Sequence, residues 1–281
     1  MITYREFLNT DHPLIIDIWR HQNSCRGRVE LVSRQVLDLH VFGKPYFERS
    51  GMLLAIETDN AGEERPIGFV HAGFGPTEDE SDLDHSTGII CQLQVLPQHE
   101  QSAVVAQQLL GRACEYLKQA GSTKVYSHSQ FPYAPFYLGM YGGSRIPGVL
   151  INDTQTTKSI KEFGFSNEDE ILLLERNLVG FRAVVDRQQM TVRRQYNINP
   201  EADPMESSWW ECCTLGLAQR DAFKAYDRKS NSICGRVIFW DIQPLATEWS
   251  VAARGLYGLE VDEQRRGQGL PHSCWANRFG I

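Results

Sequence analysis

One segment near the end of the chain, GLYGLEVDEQRRGQGLP at residues 255–271, constrains the fold most strongly. Its alternating apolar residues predict a short buried strand. They are Leu256, Tyr257, Leu259 and Val261. A turn rich in glycine and arginine follows directly, and such turns present backbone N–H groups and forked cations to phosphates. The segment therefore predicts a strand that ends in a phosphate-binding loop. A solvated surface turn is the alternative, and the pattern alone does not decide between them.

The size and charge of the chain narrow the class of protein. Its 281 residues suit one large or two modest domains. A net charge of −7 argues against a nucleic-acid binder that relies on a basic surface. The opening MITYREFLNT lacks the apolar core of a signal peptide, and apolar runs such as 171–174 are too short to cross a bilayer. We therefore predict a cytoplasmic protein without nucleic-acid or membrane partners.

Cysteine and histidine spacing bears on metals and disulfides. The seven cysteines include no CxxC pair, and the eight histidines show no HxH or HExxH spacing. An odd cysteine count without paired spacing predicts free thiols in a reducing compartment rather than a disulfide framework. We accordingly predict no metal site.

Residues 1–178 predict a mixed α/β order. The spacing of apolar residues predicts helices that begin at Asp11 and Ser33, followed by longer helices over 101–120 and 153–163. Strands are predicted at 2–7, 51–57, 66–74, 88–95, 124–129 and 171–174. The two strands around the polar turn 58–65 predict an antiparallel hairpin.

Three other features of this half have two interpretations each. The acidic stretch 77–85 either attracts a cationic amine or is a solvated loop. His71, inside a predicted strand, is interpreted as a partnered structural histidine rather than a general base. The aromatic stretch 131–141 either lines a pocket or belongs to the core.

The element order, together with the strand, proline, loop and helix at 91–117, resembles the GNAT acyltransferase superfamily. In that family the pantetheine of acyl-CoA lies beside a splayed central strand. A loop of the form [Q/R]-x-x-G-x-[G/A] holds the pyrophosphate. The resemblance implies acetyl-CoA binding by the residues that match the strand and loop. These are Leu93, Val95, Gln101, Ser102, Ala103, Val104, Val105 and Ala106, ahead of the paired Leu109 and Leu110.

Three residues of the first half depart from the family pattern. Val104 stands at the loop glycine, Ile160 at the frequent acidic tyrosine and Gln94 at the strand base. The helix-terminal N–H groups of the loop need no particular side chain, so phosphate binding remains compatible with these residues. Neither isoleucine nor an amide transfers a proton, so we do not expect this half to catalyse.

Residues 179–281 resemble a second GNAT-like unit with reduced early helices. Strands are predicted at 190–198, 223–227, 236–242 and in the opening segment. The resemblance implies cofactor contacts at Leu259, Val261, Arg266, Gly267, Gln268, Gly269 and Leu270, with Pro271 where glycine or alanine is usual. Glu260 matches Gln94 and is either a general base or a solvent-facing strand residue.

The predicted fold class is α/β: a mixed, mostly antiparallel GNAT-like sheet flanked by helices over 1–178, then a partial second unit over 179–281. The layout is similar to that of the mycothiol synthase family. By resemblance the chain transfers an acetyl group from acetyl-CoA to an amine. The alternative is a catalytically inactive CoA-binding or structural GNAT-like protein.

The last eleven residues, PHSCWANRFGI, lack the apolar period of the expected helix. One lost base after the Leu270 codon would account for this tail if Ser273 is a TCN codon and Arg278 a CGN codon, because the restored frame then yields a small residue and paired leucines at the expected places. This hypothesis predicts an exposed strand and a tendency to self-associate.

Overall fold

The computed structural model describes residues 1–30, 32–129, 133–166, 169–181, 186–216, 218–248, 250, 252–268 and 270. The chain forms two compact units. The first comprises Met1–Ile171, Ser207–Gly216 and Gln243–Ala252, and the second comprises Leu172–Glu206, Leu217–Ile242 and Ala253–Ile281. The boundary between residues 178 and 179 stays a prediction, because compactness alone does not define a repeat. The tail at 271–281, and with it the frameshift hypothesis, lies outside the described residues.

Within the described chain, the first unit is built on a five-stranded sheet with the order β1-β2-β3-β4-β5. The strands are β1 Ile2–Glu6, β2 Met52–Thr58, β3 Glu64–Pro76, β4 Leu83–Val95 and β5 Lys124–Ser127. Neighbours from β1 to β4 are antiparallel, and β4 pairs with β5 in parallel. The predicted hairpin of the second and third strands is confirmed.

Before residue 172, the described part of the first unit has four α-helices, two of which start at a capping side chain. They are α1 His12–Arg20, α2 Arg34–Leu37, α3 Ser102–Gln119 and α4 Thr154–Phe163. The side chain of Ser33 accepts a hydrogen bond from Val36 N at the start of α2, and Asp153 accepts one from Thr156 N at the start of α4. Gly164 ends α4 in the left-handed region, at φ 113°.

The main core of the first unit lies between α3 and one face of the sheet. Among the described residues, fourteen buried side chains form this cluster, including Leu109, Leu110 and Leu117 on one stripe of α3. Burial of one such leucine contributes about 1.5–3 kcal/mol. The strand residues Leu93 and Val95 belong to the same cluster, so α3 fixes the position of β4.

The second unit contains a four-stranded antiparallel sheet within the part of the chain that the structure describes. Its elements are α5 Arg187–Gln195, β6 Tyr196–Ala202, β7 Arg220–Asp227, β8 Ile233–Asp241 and β9 Arg254–Val261. A smaller cluster of five buried residues packs around Tyr196 and Leu270. The α/β fold class predicted from the sequence, with a mostly antiparallel first sheet and a second sheet after it, is confirmed.

Two helices that lie between strands of the second sheet in sequence belong to the first unit: α6 Trp209–Leu215 and α7 Gln243–Glu248. Lys44 Nζ donates to the carbonyls of Cys213 at 3.0 Å and Thr214 at 2.9 Å, at the C-terminal end of α6. Burial lowers the pKa of Lys44 to about 8. The ring of Trp210 stacks on Tyr46, with 5.1 Å between centroids. A cation on the last carbonyls of a helix stabilises that end.

Three sequence predictions are wrong. The strand predicted at 190–198 begins instead as α5, because the side chain of Asp186 caps that helix and Val192 supplies its buried face. The segment 171–174 has no strand pairing, and Leu172 and Leu174 are 86% and 93% exposed. The strand of the opening segment forms, but it is not buried. Leu256 is 39% and Leu259 46% exposed.

None of the described helices combines the length and apolar character needed to cross a bilayer. Among the described residues, no three histidine, cysteine or acidic side chains gather as metal ligands would.

Candidate functional site

In the first unit, β5 pairs with only four residues near the middle of β4. They pair only from Thr87 with Lys124 to Ile90 with Ser127. His128 N still donates to Ile90 O at 2.5 Å. Beyond this point β4 continues to Val95 and pairs with β3 alone among the described strands. Among the described strands, the edge of residues 91–95 on the side of β5 therefore has no strand partner, although these residues are at most 4% exposed.

The predicted strand residues Leu93 and Val95 lie along this edge. Leu96 N donates to Ile67 O on β3 at 2.8 Å, so the main-chain groups of the preceding Val95 point away from β3. The carbonyl of Val95 accepts hydrogen bonds from Gln22 Nε2 and Gln155 Nε2, both at 3.3 Å. The side chains of Leu93 and Val95 are each only 3% exposed and pack in the core. Leu93 and Val95 therefore bury their side chains in the core and direct their main-chain groups away from β3, as pairing with an extended ligand requires.

The predicted loop 101–106 is the first turn of α3. Gln101 is the N-cap residue and makes no capping bond with its side chain. Val105 and Ala106 are buried, whereas Val104 is 57% exposed. The first N–H groups of a helix lack helical partners and carry a partial positive charge. At this turn the N–H groups of Gln101 and Ser102 already donate to His99, so an anion would rely on those of Ala103 and Val104, with the Val104 methyl groups at the surface.

The other face of β3 and β4 is polar and buried. His71 lies opposite Gln92, and Phe69 opposite Gln94. Gln92 Nε2 donates to Tyr141 Oη, whereas both amide atoms of Gln94 are buried without a hydrogen-bond partner among the described residues. The predicted base position of the first unit thus holds an enclosed neutral amide.

His71 is a structural histidine, as the sequence predicts. Its Nδ1 lies 3.0 Å from Tyr137 Oη, and the residue is fully buried. Burial lowers the pKa of His71 to about 3, so the ring is neutral near pH 7. The aromatic stretch that contains Tyr137 is mainly core: Phe136, Tyr137 and Met140 are at most 1% exposed. Phe131 and Pro132 of that stretch lie outside the described residues.

Sequence reasoning missed Tyr141, which stands beside the base position. Burial raises its pKa, while Gln92 and the Arg28 guanidinium act in the opposite direction. Arg28 Nη1 lies 4.0 Å from Asp153 Oδ2. The position that the family fills with a tyrosine on α4 holds Ile160, which is 8% exposed. No spacing rule identifies Tyr141, because its aromatic-rich segment has no regular period.

Two residues next to the parted strands have unusual backbones. Tyr137 has φ 63° and His128 has φ 72°. The left-handed region is costly for residues with large side chains and is concentrated at functional sites. Both residues lie in the segment that follows β5, after its pairing with β4 has ended.

The acidic stretch 77–85 comprises the turn 77–82 between β3 and β4 and the first three residues of β4. Asp79 accepts hydrogen bonds from the hydroxyls of Thr77 and Ser81, and these bonds lower its pKa. Glu80 accepts from Ser208 Oγ at the start of α6. Glu78 and Asp82 are exposed. A solvated turn with one helix-capping acid describes the stretch, and attraction of a cationic amine stays a prediction.

The end of β9 in the second unit repeats one main-chain hydrogen bond made at the end of β4. Asp262 N donates to Cys234 O on β8 at 3.0 Å, as Leu96 does to β3. Val261 is therefore the counterpart of Val95, and its carbonyl accepts Arg266 Nε at 3.3 Å. Gly267 has φ 77°, and a Cβ atom there would meet nothing within 4 Å. The carbonyl of Gly267 accepts a hydrogen bond from Gln188 Nε2 at 3.3 Å, and no described atom crowds the position of a Cβ at this glycine.

Three other side chains of the second loop, those of Arg265, Gln268 and Leu270, contact residues of the second unit itself. Arg265 Nη2 lies 2.9 Å from Asp227 Oδ2, and Arg265 Nη1 donates to Tyr196 Oη at 3.2 Å. Tyr196 Oη donates in turn to Gln268 Oε1 at 3.0 Å. Leu270 is 1% exposed and packs in the core with Val192 and Cys234. The side chains of Gln268 and Leu270 thus hold the loop in place, and any ligand contact there falls to the main chain.

The remaining predicted residues of the second unit lie on or after β9. Glu260 is exposed on β9, opposite Arg236. Gly269 lies outside the described residues. Sequence reasoning missed Gln264, although the segment 264–269 reads QRRGQG and fits the loop pattern [Q/R]-x-x-G-x-[G/A] at each specified position.

No protein-family model matches the chain, and no curated protein matches its sequence. Solved structures do match it. The GCN5-related glucosamine N-acetyltransferase region of a fungal multi-domain GH3 β-N-acetylglucosaminidase is similar over 100% of this chain, with TM-score 0.65 and 16% identity. A tandem GNAT protein from the clavulanic acid biosynthesis pathway is similar over 100% of this chain and 85% of its own length, with TM-score 0.57 and 11% identity.

The chain spans about a third of the length of the fungal protein, 34%. Identities of 16% and 11% establish the fold and leave the activity open. Both matches extend over the whole of this chain, so both sheets are part of the likeness. The chain therefore has the fold of the GNAT superfamily in its tandem form.

Proposed function

We propose that the chain is an acetyl-CoA-dependent N-acetyltransferase of the GNAT type, which transfers an acetyl group to an amine. One observation carries the proposal. Beyond residue 90, the edge of β4 on the side of β5 has no strand partner among the described residues, and β4 leads into the first turn of α3. An extended ligand with amide groups can pair with such an edge, and its phosphates can reach the N–H groups of the turn.

In the first unit, the pantetheine arm pairs with the main chain of Leu93 and Val95, and the pyrophosphate lies at residues 101–106. In the second unit, the corresponding contacts are Leu259, Val261 and the loop 266–270. The residues fit this ligand unequally. The first unit offers a firmly packed strand, because Leu93 and Val95 are buried. The second offers a loop glycine with open space beside it.

Bound acetyl-CoA supplies an activated thioester carbonyl. Glu260 is the candidate base, which takes a proton from the incoming ammonium directly or through water. The neutral amine forms the new N–C bond, the C–S bond breaks, and the departing thiolate takes up a proton. Alignment of the amine with the thioester supplies most of the rate, because orientation alone can contribute about 7–11 kcal/mol.

An amino sugar is the first acceptor to test, because a structural neighbour at TM-score 0.65 is described as a glucosamine N-acetyltransferase region. The partners of the proposed reaction are acyl-CoA and a small amine, in the cytoplasm. Self-association through β9 belongs to the same proposal, and it is supported by the exposed Leu256 and Leu259. Sedimentation over a range of concentrations measures it.

A second candidate function is favoured by one observation in the first unit. Gln94 and Ile160 occupy the base and acid positions as buried residues that transfer no proton. A catalytically inactive CoA-binding or structural protein accounts for this unit. It predicts CoA binding without turnover, or no binding at all.

A thiol-release assay with acetyl-CoA and glucosamine, extended to a panel of amines, tests the proposal. We expect turnover that Glu260→Gln lowers roughly 100-fold, as removal of a general base does. Glu263→Gln is the matched control, because Glu263 is another exposed acid three residues further on, and it leaves the rate unchanged. Binding in calorimetry without turnover supports the second candidate. Absence of both binding and turnover overturns the acetyltransferase proposal.

A further inference from the structure

The carbonyl of Val95, at the end of β4, is held by two side chains from separate elements. Gln22 follows α1, and Gln155 lies in the first turn of α4. The Nε2 atoms of both residues donate to Val95 O at 3.3 Å, and both bonds are partly buried. Gln22 Nε2 is also bonded to Ile18 O at 3.0 Å, so its amide is fixed at the end of α1.

The second unit places a side-chain donor on the corresponding carbonyl. Val261 matches Val95, because the next residue in each case donates to the neighbouring strand. Val261 O accepts Arg266 Nε at 3.3 Å. In each unit, therefore, a side-chain N–H occupies the main-chain acceptor at the end of the parted strand.

The hydrogen bonds to the strand-end carbonyl of the first unit affect how a ligand can bind at this edge. A carbonyl oxygen has two lone pairs, and the two glutamines of the first unit take both. A ligand amide that adds to the edge of β4 needs the same acceptor. We propose that Gln22 and Gln155 form a latch that closes the acyl-CoA edge of the first unit and has to be displaced before ligand binds. The inference rests on the proposed function, since it takes acyl-CoA as the ligand.

The two units differ in what displacement requires. Arg266 is exposed and belongs to the loop that receives the phosphates, so it can turn from the carbonyl to the ligand. Gln22 and Gln155 are partly buried and connect β4 to α1 and α4. Their release breaks two contacts and leaves two amides to find new partners. Ligand therefore binds first at the second unit, and the first unit binds more weakly than its strand geometry alone would allow.

The test compares variants that lack the latch with a matched glutamine variant. Gln22→Ala, Gln155→Ala and the double variant remove the donors. Gln155→Met keeps the length of the side chain without an N–H group. Gln107→Ala is the control, because Gln107 Nε2 donates to Ser159 O at 2.9 Å and so connects α3 to α4 without touching Val95. CoA binding is measured by calorimetry on the full chain, and hydrogen exchange shows whether 91–106 or 256–270 is protected.

We expect each single latch variant to tighten CoA binding at 91–106 roughly five-fold, and the double variant roughly twenty-fold, as loss of one or two competing hydrogen bonds implies. Gln155→Met should match Gln155→Ala, and Gln107→Ala should leave binding unchanged.

Protection at 91–106 whose affinity is unchanged or weakened in all latch variants overturns the latch and leaves the proposed function standing. Protection at 256–270 alone in every folded variant also overturns the latch. Binding to no folded variant, the double variant included, overturns the proposed function together with the latch.

Discussion

The loops after β4 and β9 share a topology but differ in what surrounds them. The first follows a buried strand, with Leu93 and Val95 each 3% exposed, and leads into the 18-residue helix α3. The second follows a half-exposed strand and carries the better glycine pattern at residues 264–269. Motif quality and packing therefore run in opposite directions in the two units. A loop motif depends on a few backbone positions, whereas a strand's burial depends on the elements that pack against it.

The contrast extends to one strand position. Gln94 and Glu260 immediately precede the strand-end valines, but Gln94 is 4% exposed and Glu260 is exposed. The first unit has a buried amide without a partner among the described residues, and the second has a carboxylate at the surface. The well-packed unit is thus poor in proton-transfer groups at this position, and the open unit keeps one.

The largest expected difference between the two units is in how much stability each loses at low pH. Burial lowers the pKa of His71 to about 3 and those of His40 and His128 to about 4 in the first unit, and the described part of the second unit contains no histidine. The unfolded chain binds these protons near pH 6.5 while the native unit does not. Stability is therefore lost as pH falls below 6.5, by up to about 1.4 kcal/mol per pH unit for each histidine.

The first unit should accordingly lose up to about 6 kcal/mol between pH 6.5 and 5. Hydrogen exchange corrected for intrinsic rates measures this loss in each unit separately. His71→Asn should reduce the slope by one proton, and the exposed His21→Gln should leave it unchanged. Earlier loss of protection in the second unit would contradict the prediction.

Truncation of one leucine in each unit compares the two cores. Leu109 is fully buried in the large cluster against α3, and Leu270 is 1% exposed in the smaller one. We expect Leu109→Ala to cost about 3–5 kcal/mol and Leu270→Ala about 2–3 kcal/mol, because the smaller cluster relaxes more readily around a cavity. Urea unfolding of each variant provides the values. An equal or larger cost for Leu270→Ala would show that the second loop is as firmly packed as the first helix.

A smaller effect is expected at the shared strand position. Gln94→Met should raise stability by about 1–2 kcal/mol, because the buried amide makes no hydrogen bond of good geometry among the described residues, although it lies near the Tyr141 hydroxyl. Glu260→Gln should change stability by less than about 0.5 kcal/mol, as exposed substitutions usually do. Thermal unfolding at pH 7 measures both. Destabilisation by Gln94→Met would show that the amide has a partner, such as a bound water, that matters for folding.

The sequence predicted features that depend on neighbouring residues better than features that depend on residues far apart in the chain. Ser33, Asp153 and Gly164 mark helix ends through contacts within a few residues, and each does so in the structure. The wrong strand at 190–198 arose because α5 has a single buried apolar face at Val192, too weak a pattern to reveal the helical period.

The candidate site was less predictable, because its contacts join distant residues. Gln22 and Gln155 reach Val95 across 73 and 60 positions, and Lys44 reaches Cys213 across 169. No spacing rule encodes such pairs. The exposure of β9 could not be predicted from the sequence either, because a similar pattern of apolar residues occurs in strands with one neighbouring strand and in strands with two.

The discontinuity of the first unit has a consequence for synthesis. Most of that unit ends at Ile171, but its last segments are Ser207–Gly216 and Gln243–Ala252. Translation proceeds at about 5–20 residues per second, so the roughly 80 residues from Ile171 to Ala252 take about 4 to 16 seconds to emerge. Lys44 and Tyr46 lack their partners on α6 until Leu215 emerges, 44 residues after Ile171 and about 2 to 9 seconds into this interval. The nascent chain exposes an unfinished apolar surface, and a chaperone that shields it would have a defined window of action.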